Sequence, residues 1–336
     1  MSSHGASKKL SVKKRESPVL EREDFDAGPT NLDCIEPGLF IGNLTAATDV
    51  VVLELHRINH ILTVDSCPLP RKITMLPGIK TKFLQVTDTP REDLLTHFEN
   101  TSEFIKAGQE QGVVLVHCYF GVSRSATVVV AYIMKKYELS FEDALERLKS
   151  KRRFVGPNPG FISQLRLYET MNWQVDKTNI QFRMYRLQIA ADQVKKAKIL
   201  PQSCMDVVKA DPSLITVRPE PLVYRCRKCR CVVACAESSN LGKEQTCKRV
   251  RCAFRRIVAS ASNVLPHVPK EKPVWTDKKW STQDRDSMTL CLETYFVEPL
   301  AWMPSITQSL QGKIHCPKCK SKLGSFSWIM GNFLSI

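Results

Sequence analysis

The sequence lacks any run of about eighteen or more apolar residues, and its first residues, Met1–Lys9, lack the apolar core of a signal peptide. The first absence argues against a transmembrane helix and the second against secretion, so we expect an intracellular protein that does not associate with membranes. Disulfides are rare in reducing compartments. The thirteen cysteines are therefore expected to serve as metal ligands and as a nucleophile rather than as disulfide partners.

Acidic residues are scarce in the second half of the chain. The whole chain carries a net charge of +15. Residues 33–177 hold 17 basic and 17 acidic side chains, whereas residues 178–336 hold 26 and 12, which leaves +14 in that segment. An excess of this size predicts a polyanionic partner such as RNA, a ribosomal particle or an acidic protein, with a merely soluble surface as the alternative.

The length of 336 residues is enough for two or three domains, each with its own core. Residues 1–28 are polar and without periodicity, which predicts a disordered basic tail. Its lysines and arginines are compatible with a nuclear-import signal, and a plain flexible segment is an equally good interpretation. Apolar side chains recur at helical spacing over residues 179–200, which predicts a helix within a linker of residues 178–217. Folded domains are then expected over residues 33–177 and 218–330.

The most informative segment is Val114-Leu-Val-His117-Cys118-Tyr-Phe-Gly121-Val-Ser-Arg124-Ser125-Ala126, between an apolar strand-like run and an apolar helical run. The N–H groups of such a loop and of the following helix N-terminus point toward one centre and favour an anion. Arg124 can bind two phosphate oxygens, and the positive field favours the reactive thiolate of Cys118. An isolated cysteine is more often a buried, inert thiol, but the complete pattern predicts a phosphate-binding loop with a nucleophile.

Hydrolysis of a phosphate ester also needs a general acid, because the leaving oxygen must be protonated. Asp88 follows an apolar strand-like run in a polar, proline-containing loop, which predicts a movable acid loop, although a simple turn aspartate fits the same composition. Asp93 competes for this role and could instead cap the next helix. Ser125 can donate a hydrogen bond to the Cys118 sulfur or serve the helix N-terminus, and His117 is expected to orient the loop.

These motifs resemble the cysteine-dependent dual-specificity protein phosphatases. The likeness runs from Ile35–Asn43 through Ile61–Asp65, the Asp88 segment and the Cys118 loop to Pro157–Leu165. It implies an α/β fold with a central, mostly parallel sheet flanked by helices.

The resemblance also implies a role for each residue of the site. The nucleophile forms a phosphocysteine intermediate, an arginine clamps the phosphate, an aspartate acts as acid and then as base, and a serine stabilises the thiolate. In that order these residues are Cys118, Arg124, Asp88 and Ser125. No cofactor is expected for this chemistry.

Loop composition narrows the substrate class. Phosphoinositide phosphatases of this superfamily carry lysine in the loop, and RNA triphosphatases have Thr-Gly where this chain has Ser125-Ala126. These differences favour phosphoprotein substrates, with phospho-Ser/Thr as well as phospho-Tyr. The family usually has alanine at the position of Phe120, which leaves selectivity at the pocket mouth open. Substrate contacts are expected from Tyr119, Phe120, Gly121, Val122, Ser123 and Arg124.

Two Cys-x2-Cys pairs lie in the second half of the chain, at Cys226 and Cys229 and at Cys316 and Cys319. Each pair places two sulfurs on one tight turn, and two such turns brought together offer four thiolates in the tetrahedral arrangement that suits zinc. The long spacer between the two pairs weakens the argument for a shared zinc site from the pattern alone. Redox activity of either pair is therefore the alternative.

The second half is similar to the C-terminal zinc domain of the eukaryotic dual specificity phosphatase 12 group, in the segments Tyr224–Arg230, Leu292–Met303 and Cys316–Trp328. The likeness implies a small β-rich zinc-binding domain after the phosphatase domain. It also implies a role of the zinc half in maturation of the large ribosomal subunit, with pre-60S particles as partner and nucleus and cytoplasm as location. A mainly non-catalytic ribosome-assembly factor is the alternative reading.

Two departures from that group affect the expected metal count. Its members continue past the Ser-Phe-x-Trp motif with another cysteine-rich segment, whereas this chain ends at Ile336, and the spacer after Asn240 lacks the usual histidine. We therefore expect one structural zinc, with Cys291 as an orphan ligand. Spacing supports no assignment for the remaining candidates, which are Cys231, Cys235, Cys247, Cys252, His267 and His315.

Overall fold

The computed structural model describes residues 27–214, 222–236, 254–258, 264–265 and 296–329. The disordered tail predicted over residues 1–28 lies outside this part of the chain, except for its last two residues. None of the described helices is both long and apolar enough to span a membrane.

One mixed sheet forms the centre of the first half, from strands β1 (Leu32–Glu36), β2 (Leu39–Gly42), β3 (Ile58–Asp65), β4 (Lys80–Gln85) and β5 (Val113–His117). Their order across the sheet is β1-β2-β5-β3-β4. Only β1 and β2 pair antiparallel, and the other neighbours are parallel. Strands β3 and β5 are almost wholly buried, which explains the apolar run Val113–Val116 in β5 and the mainly apolar segment Ile61–Val64 in β3.

Helices cover both faces of this sheet: α1 (Leu44–Thr48), α2 (Val50–Leu55), α3 (Arg71–Thr74), α4 (Phe98–Gln111), α5 (Arg124–Tyr137), α6 (Phe141–Lys151) and α7 (Pro159–Thr170). Side chains alternate along β3, so that Leu62 and Val64 join the core beneath α4–α7 while Ile61 joins the core beneath α1–α3. Helix α5 is buried from Arg124 to Met134, because it crosses the middle of the sheet with other helices packed around it. The expected α/β fold, a central and mostly parallel sheet flanked by helices, is confirmed.

The described part of the second half is β-rich, as expected, with α8 (Ile180–Ala197), β6 (Leu222–Cys226), β7 (Val232–Ala236), β8 (Phe254–Val258), β9 (Val264–Leu265), β10 (Phe296–Val297), α9 (Ser305–Gln308), β11 (Gln311–His315) and β12 (Lys322–Ser327). Two antiparallel hairpins, β6–β7 and β11–β12, carry the Cys-x2-Cys turns. Trp328 is buried in their shared core, where its indole Nε1 donates to the carbonyl of Ile306 at 3.0 Å.

Helix α8 lies where the sequence predicts a helix, and it belongs to two cores. It begins at the cap residue Asn179, whose side chain accepts hydrogen bonds from the backbone N–H of Gln181 and Phe182. Phe182 is buried in the core of the first half, whereas Leu187 and Val194 are buried in the core of the second. The helix therefore joins the two halves by packing and does not act as a loose linker.

Candidate active site and metal centre

The candidate active site lies at the carboxyl ends of three parallel strands. Strand β5 ends at His117, directly before Cys118, and β3 ends at Asp65. Strand β4 ends three residues before Asp88. Because parallel strands end at the same edge of a sheet, the fold brings these segments together in the usual position of an α/β binding site.

The loop after β5 curls around the sulfur of Cys118, which is 1% exposed. The backbone N–H of Gly121 donates to this sulfur at 3.2 Å. Gly121 has φ of +71°, and a Cβ at this position would lie 2.5 Å from the carbonyl oxygen of Gly42. Glycine is therefore required both by the backbone conformation and by the close approach of the neighbouring strand.

The opposite side of the same loop is held by Arg152, a fully buried side chain at the end of α6. Its Nε donates to the carbonyl of Gly121 at 2.9 Å and its Nη2 to the carbonyl of Phe120 at 3.4 Å. Its Nη1 pairs with Asp33 of β1. Because Arg152 binds these carbonyls from outside, the loop turns its N–H groups inward, toward the sulfur.

Ser125 lies in the first turn of α5, and its Oγ is 3.2 Å from the Cys118 sulfur. The sulfur therefore has both a backbone and a hydroxyl partner, next to the positive end of a helix dipole. Both partners can donate a hydrogen bond to the sulfur, which is the arrangement that a sulfur nucleophile and leaving group needs.

Arg124 is anchored on its inner side by the end of β3. Its Nη1 donates to the Asp65 carboxylate at 2.7 Å and to the carbonyl of Val86 at 3.2 Å. Within the described residues its Nε has no hydrogen-bond partner, and it lies 3.8 Å from a carboxylate oxygen of Asp88. A donor of the guanidinium thus remains available for a phosphate oxygen.

Asp88 lies in the loop after β4 with about a third of its side chain exposed. Its Oδ1 accepts hydrogen bonds from the Ser123 hydroxyl at 2.7 Å and from the Asn158 amide at 2.8 Å. Asn158 also caps α7, and its backbone N–H donates to the Ser123 hydroxyl at 3.2 Å. The structure therefore places Asp88 beside Arg124 and the cysteine loop, within reach of a bound phosphate ester.

Asp93 and His117, the two remaining polar candidates, make contacts that support the structure around the site. Asp93 accepts hydrogen bonds from the backbone N–H and the hydroxyl of Thr96, in the short 3-10 helix Leu95–His97 that leads into α4 and whose N-cap position is Leu94. His117 is fully buried, with its Nε2 2.8 Å from the Thr63 hydroxyl of β3. Of the two roles considered for Asp93, these contacts favour a structural one at the start of the helix.

The other loop residues differ in exposure. Tyr119 is half-buried and packs edge-to-face against Phe120, with ring centroids 4.7 Å apart. The side chain of Phe120 is 60% exposed. The carbonyl of Val122 accepts a hydrogen bond from Gly156 at 2.9 Å. Phe120 is thus presented to solvent at the rim of the loop.

The four predicted zinc ligands come together. The sulfurs of Cys226 and Cys319 are 3.7 Å apart, those of Cys229 and Cys316 are 3.4 Å apart, and all four lie within 4.8 Å of one another. Four thiolates around one zinc ion at about 2.3 Å lie about 3.8 Å from each other. Both of these close contacts join one hairpin to the other, which fits a shared metal better than two separate redox pairs.

The two turns have the same backbone geometry. The N–H of Arg230 donates to the carbonyl of Cys226, and the N–H of Lys320 donates to the carbonyl of Cys316. Arg230 and Lys320 both have positive φ, of 66° and 58°. This equivalence of the two turns gives two donors on each side of one centre.

A hydrogen bond from Ser321 lowers the pKa of the Cys319 thiol to about 6, so one sulfur of the cluster is largely a thiolate at neutral pH.

Two of the other cysteine and histidine candidates, Cys231 and His315, lie with their side chains in the described part of the chain, and neither belongs to this cluster. Cys231 is half-buried and its sulfur faces the carbonyl of Val232, while His315 is exposed. Cys247, Cys252, His267 and Cys291, as well as the side chain of Cys235, lie outside the described residues.

Several residues of the candidate site carry no sequence signal of their own. Asp65 lies in a segment that carries the family resemblance, but the sequence assigns it no role. Asn158 precedes a predicted helix, so the sequence indicates only a helix cap. Arg152 stands among other basic residues. Each acquires its role from a partner distant in the chain, since 59 residues separate Asp65 from Arg124 and 70 separate Asn158 from Asp88.

The sequence was compared with known proteins. A family model described as the catalytic domain of dual specificity phosphatases matches residues 39–171. The chain is 41% identical to the dual specificity protein phosphatase MPK-4 of Drosophila melanogaster, over 94% of this chain and 86% of that protein. It is 34% identical to the dual specificity protein phosphatase 12 of Mus musculus, over 88% of this chain and 80% of that protein. A crystal structure of the Yvh1 phosphatase domain from Chaetomium thermophilum covers 44% of this chain and 100% of that chain, at 31% identity and a TM-score of 0.40.

Proposed function

The chain belongs to the dual specificity protein phosphatases, and on that premise we propose that it hydrolyses phospho-Ser/Thr and phospho-Tyr in proteins through a phosphocysteine at Cys118. One observation carries the proposal. The Cys118 sulfur lies 3.2 Å from both the N–H of Gly121 and the hydroxyl of Ser125, beside Arg124 and Asp88. A nucleophile, a phosphate clamp and a proton donor thus share one edge of the sheet.

The reaction proceeds in two displacements at phosphorus. In the first, the thiolate of Cys118 forms the S–P bond while the P–O bond to the substrate breaks, and Asp88 gives its proton to the leaving oxygen. In the second, the Asp88 carboxylate takes a proton from a water molecule, whose oxygen attacks phosphorus and releases inorganic phosphate. The S–P bond breaks, and the thiolate returns to the hydrogen bonds from Gly121 and Ser125.

The electrostatic role falls to Arg124 and the loop. Asp65 fixes one end of the guanidinium, so the remaining donors can bind equatorial phosphate oxygens without a large loss of side-chain entropy. The exposed ring of Phe120 offers an apolar surface beside the leaving group. The pocket therefore makes its strongest contacts with the phosphoryl group, which suits substrates that share only that group.

Two substitutions test this mechanism. Cys118→Ser should abolish hydrolysis of p-nitrophenyl phosphate while the protein still binds phosphopeptides. Asp88→Asn should lower kcat by about 10² or more, the usual scale for a general acid. Unchanged turnover in Cys118→Ser would refute the phosphocysteine mechanism.

We further propose that the four-sulfur cluster holds one zinc ion and that the surface around it binds a polyanion. A bound zinc would cross-link the two hairpins. Their turns carry a group of exposed cations between and after the ligands, here called the basic crown: Arg227, Lys228, Arg230, Lys318, Lys320 and Lys322. Among the described residues none of these six forms an ion pair with a carboxylate, so all six charges are available to phosphate groups.

The polyanion proposed for the basic crown is the RNA of a pre-60S ribosomal particle, in the nucleus and the cytoplasm. The excess charge of +14 over residues 178–336 supports this partner. The proposal is compatible with phosphatase activity, because the crown and the Cys118 loop belong to different halves of the chain. A mainly non-catalytic assembly factor would use the crown alone.

Sedimentation of the chain with large ribosomal particles in nuclear and cytoplasmic extracts tests this partner. The parent should migrate with the particles and wash off at high salt. Lys318→Glu with Lys320→Glu should return the protein to the top of the gradient. The matched control, Lys149→Glu with Lys151→Glu on the exposed end of α6, should sediment like the parent. Equal sedimentation of the crown variant and the control would contradict the assignment.

A further inference from the structure

The segment that carries Asp88 is held at its far end by helix α8. Asp93 follows five residues after Asp88, and its carboxylate accepts a hydrogen bond from the hydroxyl of Tyr185 at 2.8 Å. Its other oxygen forms an ion pair with Arg186. Tyr185 and Arg186 follow Asp93 in the chain by 92 and 93 positions. These contacts therefore form only because α8 packs against the acid loop.

Arg186 is itself fixed from the other side. Its Nε and Nη2 donate to both oxygens of Asp206, at 2.9 and 2.8 Å, and Nη2 also donates to the carbonyl of Ser203 at 3.0 Å. Arg186 is only 7% exposed. A buried guanidinium shared between two carboxylates has little rotational freedom, so it transmits the position of α8 to Asp93.

The position of α8 is in turn set by the second half of the chain. Leu187 and Val194 are buried in the core that contains Trp328, and Arg183 makes a two-point contact with the buried carboxylate of Glu298. The helix is therefore a rigid connection between the metal-binding half and the acid loop.

The acid loop is exposed, and its contacts with the rest of the protein come from two sides: Ser123 and Asn158 donate to Asp88, and Arg91 lies 3.8 Å from the carboxylate of Asp192 in α8. Residues 87–91 are exposed, whereas the flanking Val86 is buried and bonded through its N–H to the carbonyl of Asp65. Beyond Asp93, the Gln164 side chain accepts hydrogen bonds from the N–H groups of Leu94 and Leu95. The position of Asp88 therefore depends on the fixed ends of the segment as well as on its hydrogen bonds with Ser123 and Asn158.

We propose that Tyr185 and Arg186 are positioning residues for Asp88, so that helix α8 holds the general acid in place for protonation of the leaving group. The inference rests on the proposed acid role of Asp88. Burial raises the pKa of Tyr185 well above its ordinary value, so its hydroxyl remains protonated and donates to Asp93 at all working pH values.

The test uses substrates that depend to different degrees on the general acid. Phenyl phosphate has a poor leaving group and needs protonation, whereas p-nitrophenyl phosphate needs it much less. In the full-length chain, Tyr185→Phe should lower kcat for phenyl phosphate about tenfold and kcat for p-nitrophenyl phosphate less than about twofold. Arg186→Leu should act in the same direction with a larger loss.

A double-mutant cycle separates positioning from a general loss of structure. If Tyr185 acts through Asp88, Tyr185→Phe should have no further effect in an Asp88→Asn background. Tyr132→Phe removes the hydroxyl of another core tyrosine, which donates to Gln109 away from the acid loop, and it should leave the leaving-group dependence unchanged. Equal losses with both substrates, or the same loss in the Asp88→Asn background, would overturn the proposal.

The same variants distinguish failure of the acid role of Asp88 from failure of the positioning role of Tyr185. If Asp88→Asn itself leaves the rate with phenyl phosphate unchanged, the acid role of Asp88 fails and the positioning role fails with it. If Asp88→Asn is slow with phenyl phosphate while Tyr185→Phe behaves like the parent, only the positioning role is wrong.

Discussion

At the scale of single residues, the sulfur of Cys118 has two partners of different kinds. The N–H of Gly121 belongs to the backbone and persists in every variant that keeps the loop, whereas the hydroxyl of Ser125 can be removed by one substitution. In the second displacement the sulfur leaves as a thiolate. The hydroxyl should therefore matter more for breakdown of the phosphocysteine than for its formation.

Ser125→Ala should slow breakdown of the intermediate by roughly 10- to 100-fold, the range expected for a lost hydrogen bond to a charged group. Rapid mixing with p-nitrophenyl phosphate should then show a burst of product before a slow steady state. Ser102→Ala serves as control, because this buried hydroxyl has no hydrogen-bond partner within the described structure. Absence of a burst together with parent-like turnover would contradict the role of Ser125.

Asp65 is the second residue whose removal gives a clear expectation. Asp65→Ala should raise KM for an aryl phosphate about tenfold or more, because Arg124 loses the acceptor that orients it. Asp65→Asn keeps an acceptor oxygen in place and should show a smaller change. Steady-state kinetics and inhibition by tungstate measure both effects, and equal losses in the two variants would argue against orientation as the cause.

At the scale of elements, the cysteine loop depends on one backbone conformation. Gly121→Ala adds a Cβ 2.5 Å from the carbonyl of Gly42, in addition to the strain of φ at +71°. Gly78→Ala has the same strain, with φ at +79°, but nothing lies within 4 Å of its Cβ. The pair therefore separates conformational strain from steric overlap.

Gly78→Ala should lower the free energy of unfolding by about 1 to 2 kcal/mol and leave activity intact. Gly121→Ala should lower it by more than about 3 kcal/mol and abolish turnover, since the loop must move away from the sulfur. Urea unfolding and p-nitrophenyl phosphate kinetics measure the two effects. Similar results for both glycines would show that the contact with Gly42 is unimportant.

The contact between α8 and the 3-10 helix Gln202–Val207 should respond to acid. Burial raises the pKa of Asp206, but the hydrogen bonds and charge of Arg186 outweigh it, so the folded-state pKa lies below the ordinary value of 3.8. A carboxyl with a depressed pKa contributes stability above its unfolded pKa and loses it as the pH falls through the folded value. This contact should therefore weaken from about pH 5 downward.

Asp206→Asn should reduce the free energy of unfolding at pH 7, and the difference from the parent should shrink as the pH falls below about 4. Urea unfolding at both pH values measures this difference. Asp176→Asn is a useful comparison, because Asp176 also has a lowered pKa, but the main cause is hydrogen bonding from the neighbouring Thr178 at the surface. A constant difference between parent and Asp206→Asn across pH would contradict the ionic origin of the contact.

At the scale of the whole molecule, the cluster of Cys226, Cys229, Cys316 and Cys319 connects two distant parts of the second half. Purified protein should contain one equivalent of zinc, and Cys229→Ser or Cys319→Ser should remove it. Loss of zinc should lower the thermal stability of the second half. The exposed cysteines Cys34 and Cys67 supply controls, because serine at either position should leave the metal content unchanged. Two equivalents, or none, would refute the single site.

The sequence predicted those parts of the molecule in which the functional residues lie close together in the chain, at a spacing that their chemistry requires. Cys118, Arg124 and Ser125 lie on one loop, and each Cys-x2-Cys pair lies on one turn. The supporting contacts could not be predicted, because the partners of Asp65 and Asp93 are set by the packing of the sheet and of α8. The helical spacing of residues 179–200 indicated a helix without showing that it joins two cores.

Because the two cysteine pairs are far apart in the chain, the ribosome completes the first pair well before it adds the second. In the chain, 87 residues separate Cys229 from Cys316, so at ordinary elongation rates roughly 4 to 17 s pass between them. During that interval the nascent chain holds a finished sheet and α8, but only half of the sulfur donors. The apolar face that Trp328 later covers is then open to solvent, and a translational pause within this interval would prolong exposure to chaperones and to aggregation.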